Sequence, residues 1–188
     1  MNKYKCLGAD TYNNGQLKLV PIRHEDRFEI LKMRNEQVYH LRQATLLNEE
    51  MQDFYFKNVI ANLYDQEKPN QILFSVLKDE SFIGYGGLVH LNWLDRHGEI
   101  SFIMKTELEK DFFEVNWKNY LDVLSDIAFN DIKLHKIFTY AFDLRPHLYG
   151  VLLSSGFYEE ARLKEHSCFN NKYIDVVIHS KINPNAHN

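Results

Sequence analysis

Apolar positions along this chain recur with two periods, and the places where the period switches divide it into elements. Leu17, Leu19 and, past Val20-Pro21, Ile22 give an imperfect two-residue alternation, which predicts a short strand. Asn13-Asn14-Gly15 stands between residues 4–9 and 16–22, and Asn-Gly between two apolar runs predicts a hairpin, because both residues accept positive φ. Residues 23–34 switch to helical spacing, with Phe28, Ile30, Leu31 and Met33 near one face. A second helical stretch covers about 48–65, with Asn48 as a plausible N-cap and Met51, Phe54, Tyr55, Val59 and Leu63 along a stripe. Residues 71–77 and 82–91 return to strand character across the turn residues Lys78-Asp79-Glu80-Ser81. Gly84, Gly86 and Gly87 fall inside the second run, as they do where a bulge forms or another backbone comes close. A strand over 99–105 precedes the strongest helical pattern, 113–132, whose Phe113, Trp117, Tyr120, Leu121, Leu124, Ile127 and Ala128 share one face. Strands at 136–142, 157–168 and 172–182 follow, with a helix over 145–155 between the first two.

This order starts as an antiparallel meander and then needs a strand–helix–strand crossover. The fold class is therefore α+β, a mixed α/β arrangement: a mostly antiparallel sheet of about seven strands with about four helices. With 188 residues and no linker, repeat or low-complexity block, residues 1–188 read as a single domain, its core at about 16–182 and 1–15 as an N-terminal hairpin strand.

Composition narrows the function classes. The apolar fraction is 45%, with 13 Phe and 11 Tyr against only 8 Gly and 4 Pro, which excludes a disordered or loop-dominated chain. Net charge is −4 with acidic and basic residues interleaved, so a nucleic-acid partner is not expected. No apolar run reaches the roughly 20 residues of a membrane span, and the N-terminus lacks a signal-peptide core, so no membrane partner and a cytoplasmic location are expected. Cys6 and Cys168 have no metal-ligand spacing, which gives no metal and a reduced compartment.

Four short segments in fixed order carry a family likeness. Glu99-Ile100-Ser101-Phe102 begins the fourth main strand. Ala128-Phe129 leads into Leu134-His135-Lys136-Ile137. Gly156-Phe157 precedes Glu160-Ala161-Arg162-Leu163-Lys164-Glu165-His166, and Tyr173-x-Asp175 lies in the last strand. This set resembles the GNAT superfamily of acetyl-CoA-dependent N-acetyltransferases, nearest its branch of ribosomal-protein and amino-sugar N-acetyltransferases. The resemblance implies a splay between the fourth and fifth strands. There, unpaired backbone at Phe102, Ile103 and Met104 would take the pantetheine arm of acetyl-CoA and hold the thioester carbonyl, which is oxyanion-type stabilisation. It also implies a carboxylate general base acting through water, Glu99 here. Tyr149 is the candidate general acid, because Leu152 stands where the family's tyrosine belongs. His97, which titrates near neutrality, is a further catalytic candidate. Arg145 is a candidate cofactor-phosphate ligand.

The family's glycine-rich pyrophosphate loop is missing. Residues 105–114 hold no glycine and carry Glu107, Glu109, Asp111 and Glu114, with Lys105 and Lys110 left to bind phosphate. Thr106 and Glu109 have the spacing of a capping box. Acceptor recognition falls, by resemblance, to the first two helices and the loop between them. Arg34, His40, Arg42 and Gln43 are candidates there for a phosphate or carboxylate, and Trp93 for stacking. Asp175 is expected to pair with Arg162 or Lys164.

The activity implied is direct acetyl transfer in a ternary complex to a primary amine of a small molecule, including a nucleotide-linked amino sugar. A protein N-terminus as acceptor, and a non-catalytic acyl-CoA- or partner-binding module, remain as alternatives. A homodimer is left open.

Overall fold

The computed structural model describes residues 3–185, and its elements follow the two periods closely. Eight strands are present: β1 (Tyr12–Asn13), β2 (Lys18–Pro21), β3 (Ile72–Lys78), β4 (Ser81–Asn92), β5 (His97–Met104), β6 (Lys136–Phe142), β7 (Tyr158–Phe169) and β8 (Lys172–Ile182). The helices are α1 (Arg27–Glu36), α2 (Glu49–Tyr55) continuing through a π turn at Phe56–Ile60 into α3 (Ala61–Leu63), α4 (Glu109–Asp126) and α5 (His147–Ser154). All strands join one sheet in the order β1-β2-β3-β4-β5-β6-β8-β7. Every neighbouring pair is antiparallel except β5 with β6.

The eighth strand arises at the N-terminus. The hairpin at Gly15, with φ +80°, pairs Tyr12 and Asn13 with Leu19 and Lys18 rather than using residues 4–9. Tyr4 becomes a core plug instead. It is fully buried, and its hydroxyl donates to the Leu73 carbonyl and accepts from the Leu73 amide, both at 3.0 Å. Two hairpin turns, at Asp79-Glu80 and Asn170-Asn171, put both central residues at positive φ, the geometry that matches strand twist.

Both faces of the central strands are covered. Tyr85 opposes Ile103 and meets Arg34 of α1. Gly86 opposes Phe102, which stacks on Tyr120 of α4 with ring centroids 4.0 Å apart. A Cβ on Gly86 would lie 2.1 Å from the Ser101 carbonyl and 2.6 Å from the Tyr120 hydroxyl, so α4 sits this close only over a glycine. The predicted α4 face is buried from Phe113 to Ala128. The helix begins at Glu109, four residues before the predicted start, after a 3-10 turn at Thr106–Leu108.

Asp175 behaves as its position in the sequence suggested. It accepts from Lys164 at 2.7 Å, Arg162 at 3.3 Å and the Glu165 amide at 3.0 Å, which fixes a bulge in β7 where Glu165 has φ +50°. The Lys164 and Glu165 bonds lower its carboxyl to about 2. No helix among the described residues is long and apolar enough to cross a membrane.

Candidate active site

The parallel pair β5–β6 holds register only at His97, Gly98 and Glu99, opposite Lys136, Ile137 and Phe138. Beyond Glu99 the two strands part. β5 keeps its ladder to β4 through Met104, so its other edge faces open space. A cavity of about 630 Å³ occupies the opening. Its wall includes Phe102, Ile103, Trp117, Thr139, Tyr140 and Leu148. The expected splay is therefore present, although β5 itself has no bulge over 99–104; the register shift lies in β4, between Val89 and Asn92.

Alternation decides which backbone groups line the opening. The Ser101 and Ile103 carbonyls point at β4, against Gly86 and Gly84. Amide and carbonyl of one strand residue share a side and neighbours alternate, so Phe102 presents its backbone to the opening. Met104 does too, but its carbonyl already accepts from Gln37 Nε2 at 2.7 Å. Of the three backbone candidates, Phe102 is the one facing the opening and uncommitted. Ile103 contributes its side chain, and Met104 is capped.

At one end of the opening lies Glu99, with 6% of its surface exposed. Its Oε1 accepts from Arg42 Nη2, and its Oε2 stands 2.8 Å from His90 Nδ1. Arg42 also lies over the Tyr140 ring, 4.7 Å from its centroid. Arg34 lines the same wall while donating to Gln43 and the Tyr85 hydroxyl.

At the other end lies Arg145, 6% exposed. It donates to Glu109 at 2.7 Å and lies against His40, with Nη1 3.3 Å from Nδ1 and 3.1 Å from Nε2. His40 Nε2 is 3.1 Å from Gln37 Oε1, which as an acceptor assigns the ring hydrogen to Nε2. Burial, and then the Arg145 charge, push the His40 imidazole down to about 3. Burial raises the Glu109 carboxyl, and Arg145 pulls it back only in part. The capping box does not form. Thr106 bonds Glu36 and Gln37, and Glu109 turns to Arg145. Two buried polar atoms of cavity-wall residues, Arg145 Nε and Thr139 Oγ1, have no hydrogen-bond partner among the described residues. A second recess lies along α5 and the start of α4, lined by Lys110 among Glu109, Asp111 and Glu114.

The fold thus brings together Glu99, Phe102, Ile103, Arg34, His40, Arg42 and Arg145. It leaves other candidates outside this cavity wall. Tyr149 donates to Asp143 Oδ1 at 2.6 Å and stacks on His179; burial and that carboxylate hold its proton on. His97 packs its ring on Phe138, with Nδ1 buried and unpartnered. Trp93 donates to the Pro69 carbonyl at 2.8 Å. Lys105 pairs with Glu29 at 3.3 Å, and Lys110 forms no ion pair among the described residues. His90, Thr139 and Tyr140 are cavity residues that the sequence reading did not select; His90 is aimed by the extra residue between Val89 and Asn92, which no sequence pattern displays.

A family model described as an acetyltransferase (GNAT) domain matches residues 19–178. A search of curated proteins gives no match. Among solved structures, mutant forms of the spermidine/spermine N-acetyltransferase SpeG from Vibrio cholerae share 21% identity at TM-score 0.75, over 90% of this chain and 95% of that one. The spermidine N-acetyltransferase from Vibrio cholerae in complex with CoA and spermine shares 22% at TM-score 0.71, over 90% and 97%. A dodecameric structure of the Vibrio cholerae enzyme in an intermediate state shares 22% at TM-score 0.73, over 90% and 95%.

Proposed function

The chain belongs to the GNAT acetyltransferases, and from that premise we propose that it acetylates the primary amine of a small, negatively charged acceptor such as a nucleotide-linked amino sugar. As a member of that family it is an N-acetyltransferase with acetyl-CoA as co-substrate. The observation that carries the acceptor reading is the charge of the cavity wall. Arg34, Arg42 and Arg145 stand there; Glu99 on the wall holds Arg42 and His90, Glu109 behind it holds Arg145, and Arg34 has no ion pair among the described residues. An arginine fork suits a phosphate or carboxylate. A polycation such as the polyamine bound by the Vibrio cholerae enzyme would meet like charge on this wall.

The residues present suit acetyl-CoA in this cavity. The Phe102 backbone faces the opening, and donors there polarise a thioester carbonyl. Arg145, with a nitrogen still unpartnered, is the cation suited to phosphate. Transfer is direct within a ternary complex; neither Cys6 nor Cys168 lines the cavity. Self-association, seen in the dodecameric relative, is part of the same proposal, and light scattering reads it out.

The test pairs binding with turnover. Acetyl-CoA at about 100 times its Kd should stabilise the fold by ~2.7 kcal/mol in a thermal-shift series. Thiol release should then be seen with phosphorylated amino sugars and not with spermidine. Release with spermidine alone would overturn the acceptor reading. A thermal shift with no release for any amine or N-terminal peptide would leave a binding module.

A further inference from the structure

β4 has one residue more than β5 between two paired positions. Val89 faces Glu99 and Asn92 faces His97, so three steps along β4 answer two along β5. The surplus forms a β-bulge in which His90 takes φ +49°. Glycine is the residue that fits such a position, and a Cβ there costs about 1–2 kcal/mol. Seven other non-glycine residues among those described share a positive φ, Glu165 in the β7 bulge among them, so what sets His90 apart is where the bulge sends its side chain.

The bulge turns the imidazole onto Glu99, with Nδ1 2.8 Å from Oε2. A carboxylate paired with arginine can only accept, so the hydrogen is on Nδ1 and the neutral ring keeps Nε2 as an acceptor. Nε2 bonds no other described residue. The ring lines the cavity with 65% of its side chain exposed. Glu99, by contrast, has both oxygens engaged, so a water acting for it must share or displace Arg42 or His90.

We infer that His90 is the catalytic base that takes the proton from the attacking amine, and that Glu99 is a positioning residue that fixes its tautomer. This rests on the N-acetyltransferase reading. The acceptor arrives as an ammonium. His90 Nε2 takes one proton, leaving a neutral amine and an imidazolium facing Glu99. The amine lone pair then attacks the thioester carbonyl carbon. The C–N bond forms, the C–S bond breaks, and the second amine proton leaves with the sulfur as free thiol. His90 gives its proton to water, so the sum is amide, thiol and one proton. Orientation of the imidazole by a carboxylate is what makes one nitrogen a dependable acceptor.

The decisive variant is His90→Gly, because glycine accepts the positive φ and the fold should stand. With acetyl-CoA and either glucosamine 6-phosphate or spermidine as acceptor, kcat/KM should fall about 100-fold or more. The acid limb of its pH profile should flatten, the KM for acetyl-CoA should stay within about twofold, and added imidazole should restore rate. The charged and titratable groups sharing this wall are Glu99 on β5, Arg42 and His40 from the segment after α1, Arg34 on α1, Tyr140 on β6 and Arg145 just before α5. A His90→Gly enzyme with wild-type rate and acid limb overturns the inference, as does a loss that imidazole fails to restore. If the wild type acetylates neither acceptor, the transferase reading fails for them, and the ring-nitrogen NMR signals of His90 decide the dyad by themselves. They should show the hydrogen on Nδ1 in the wild type and a mixture of tautomers in Glu99→Gln, since the carboxylate at 2.8 Å is what fixes the hydrogen there; signals unchanged by Glu99→Gln overturn the pairing.

Discussion

The two ends of the open seam are built from the same three residue types, with the carboxylate buried at one end and the guanidinium at the other. At one end a carboxylate is the hub: Glu99 is buried, while Arg42 and His90 on its oxygens are 45% and 65% exposed in their side chains. At the other end a guanidinium is the hub: Arg145 is buried, with Glu109 and His40 on its nitrogens. The hub is the buried charge, and its partners are groups, charged or neutral, that stand nearer the open space. A fixed negative charge suits a place where a proton must be drawn off an amine. A fixed positive charge suits a place where phosphate must arrive. Glu109 pairs with Arg145 from the glycine-free start of α4, while Arg145 Nε stays without a partner among the described residues.

Removing each hub gives the sharpest contrast. Glu99→Gln is expected to lower kcat by about 100-fold or more with little change in acetyl-CoA affinity by equilibrium titration; unchanged turnover would take Glu99 out of the mechanism. Arg145→Met should act on the fold as well, losing about 3 kcal/mol in urea unfolding because Glu109 is stranded, and acetyl-CoA should bind more weakly. An Arg145→Met protein as stable as wild type would make the two ends equivalent.

The next effect is one of pH. His40 is held neutral when folded, at about 3, whereas the unfolded ring takes a proton near 6.5. Its contribution is therefore complete above about pH 6.5 and is lost as pH falls from there towards 3, at a slope approaching ~1.4 kcal/mol per pH unit. Melting series of wild type and His40→Gln should diverge over that window and run parallel above it; parallel curves throughout would mean the ring is solvated. The smallest effect is expected from Glu109→Gln. Relieving the competition for Arg145 is worth about 1 kcal/mol, or roughly fivefold tighter acetyl-CoA binding by calorimetry. Weaker binding would make Glu109 part of the cofactor's own site.

Most of the fold was legible because it depends on period and on turn chemistry, both of which are local. The α4 face from Phe113 to Ala128 and the turn at Asp79-Glu80 are cases where nearby residues carry the whole signal. Glu99 and the opening beside Ile103 were reached through family resemblance, since nothing in Glu-Ile-Ser-Phe by itself says that a neighbouring strand departs. The capping box failed because Thr106 and Glu109 found stronger distant partners, Gln37 and Arg145, which no short window contains. Tyr149 was a matter of helical count, and a carboxylate at Asp143 claims its hydroxyl. His90 was invisible for a different reason: its aim depends on one surplus residue between paired strands, a quantity that exists only once the register is known.

The single parallel pairing also bears on how such a chain can diversify. Strands β1–β5 and β6–β8 are two blocks, each held together by antiparallel ladders, and α4 with its π turn at Ile127–Asp131 carries the chain from one to the other. Because only three residue pairs join the blocks, a change in the length of that carrier would disturb the seam before either block's own ladders.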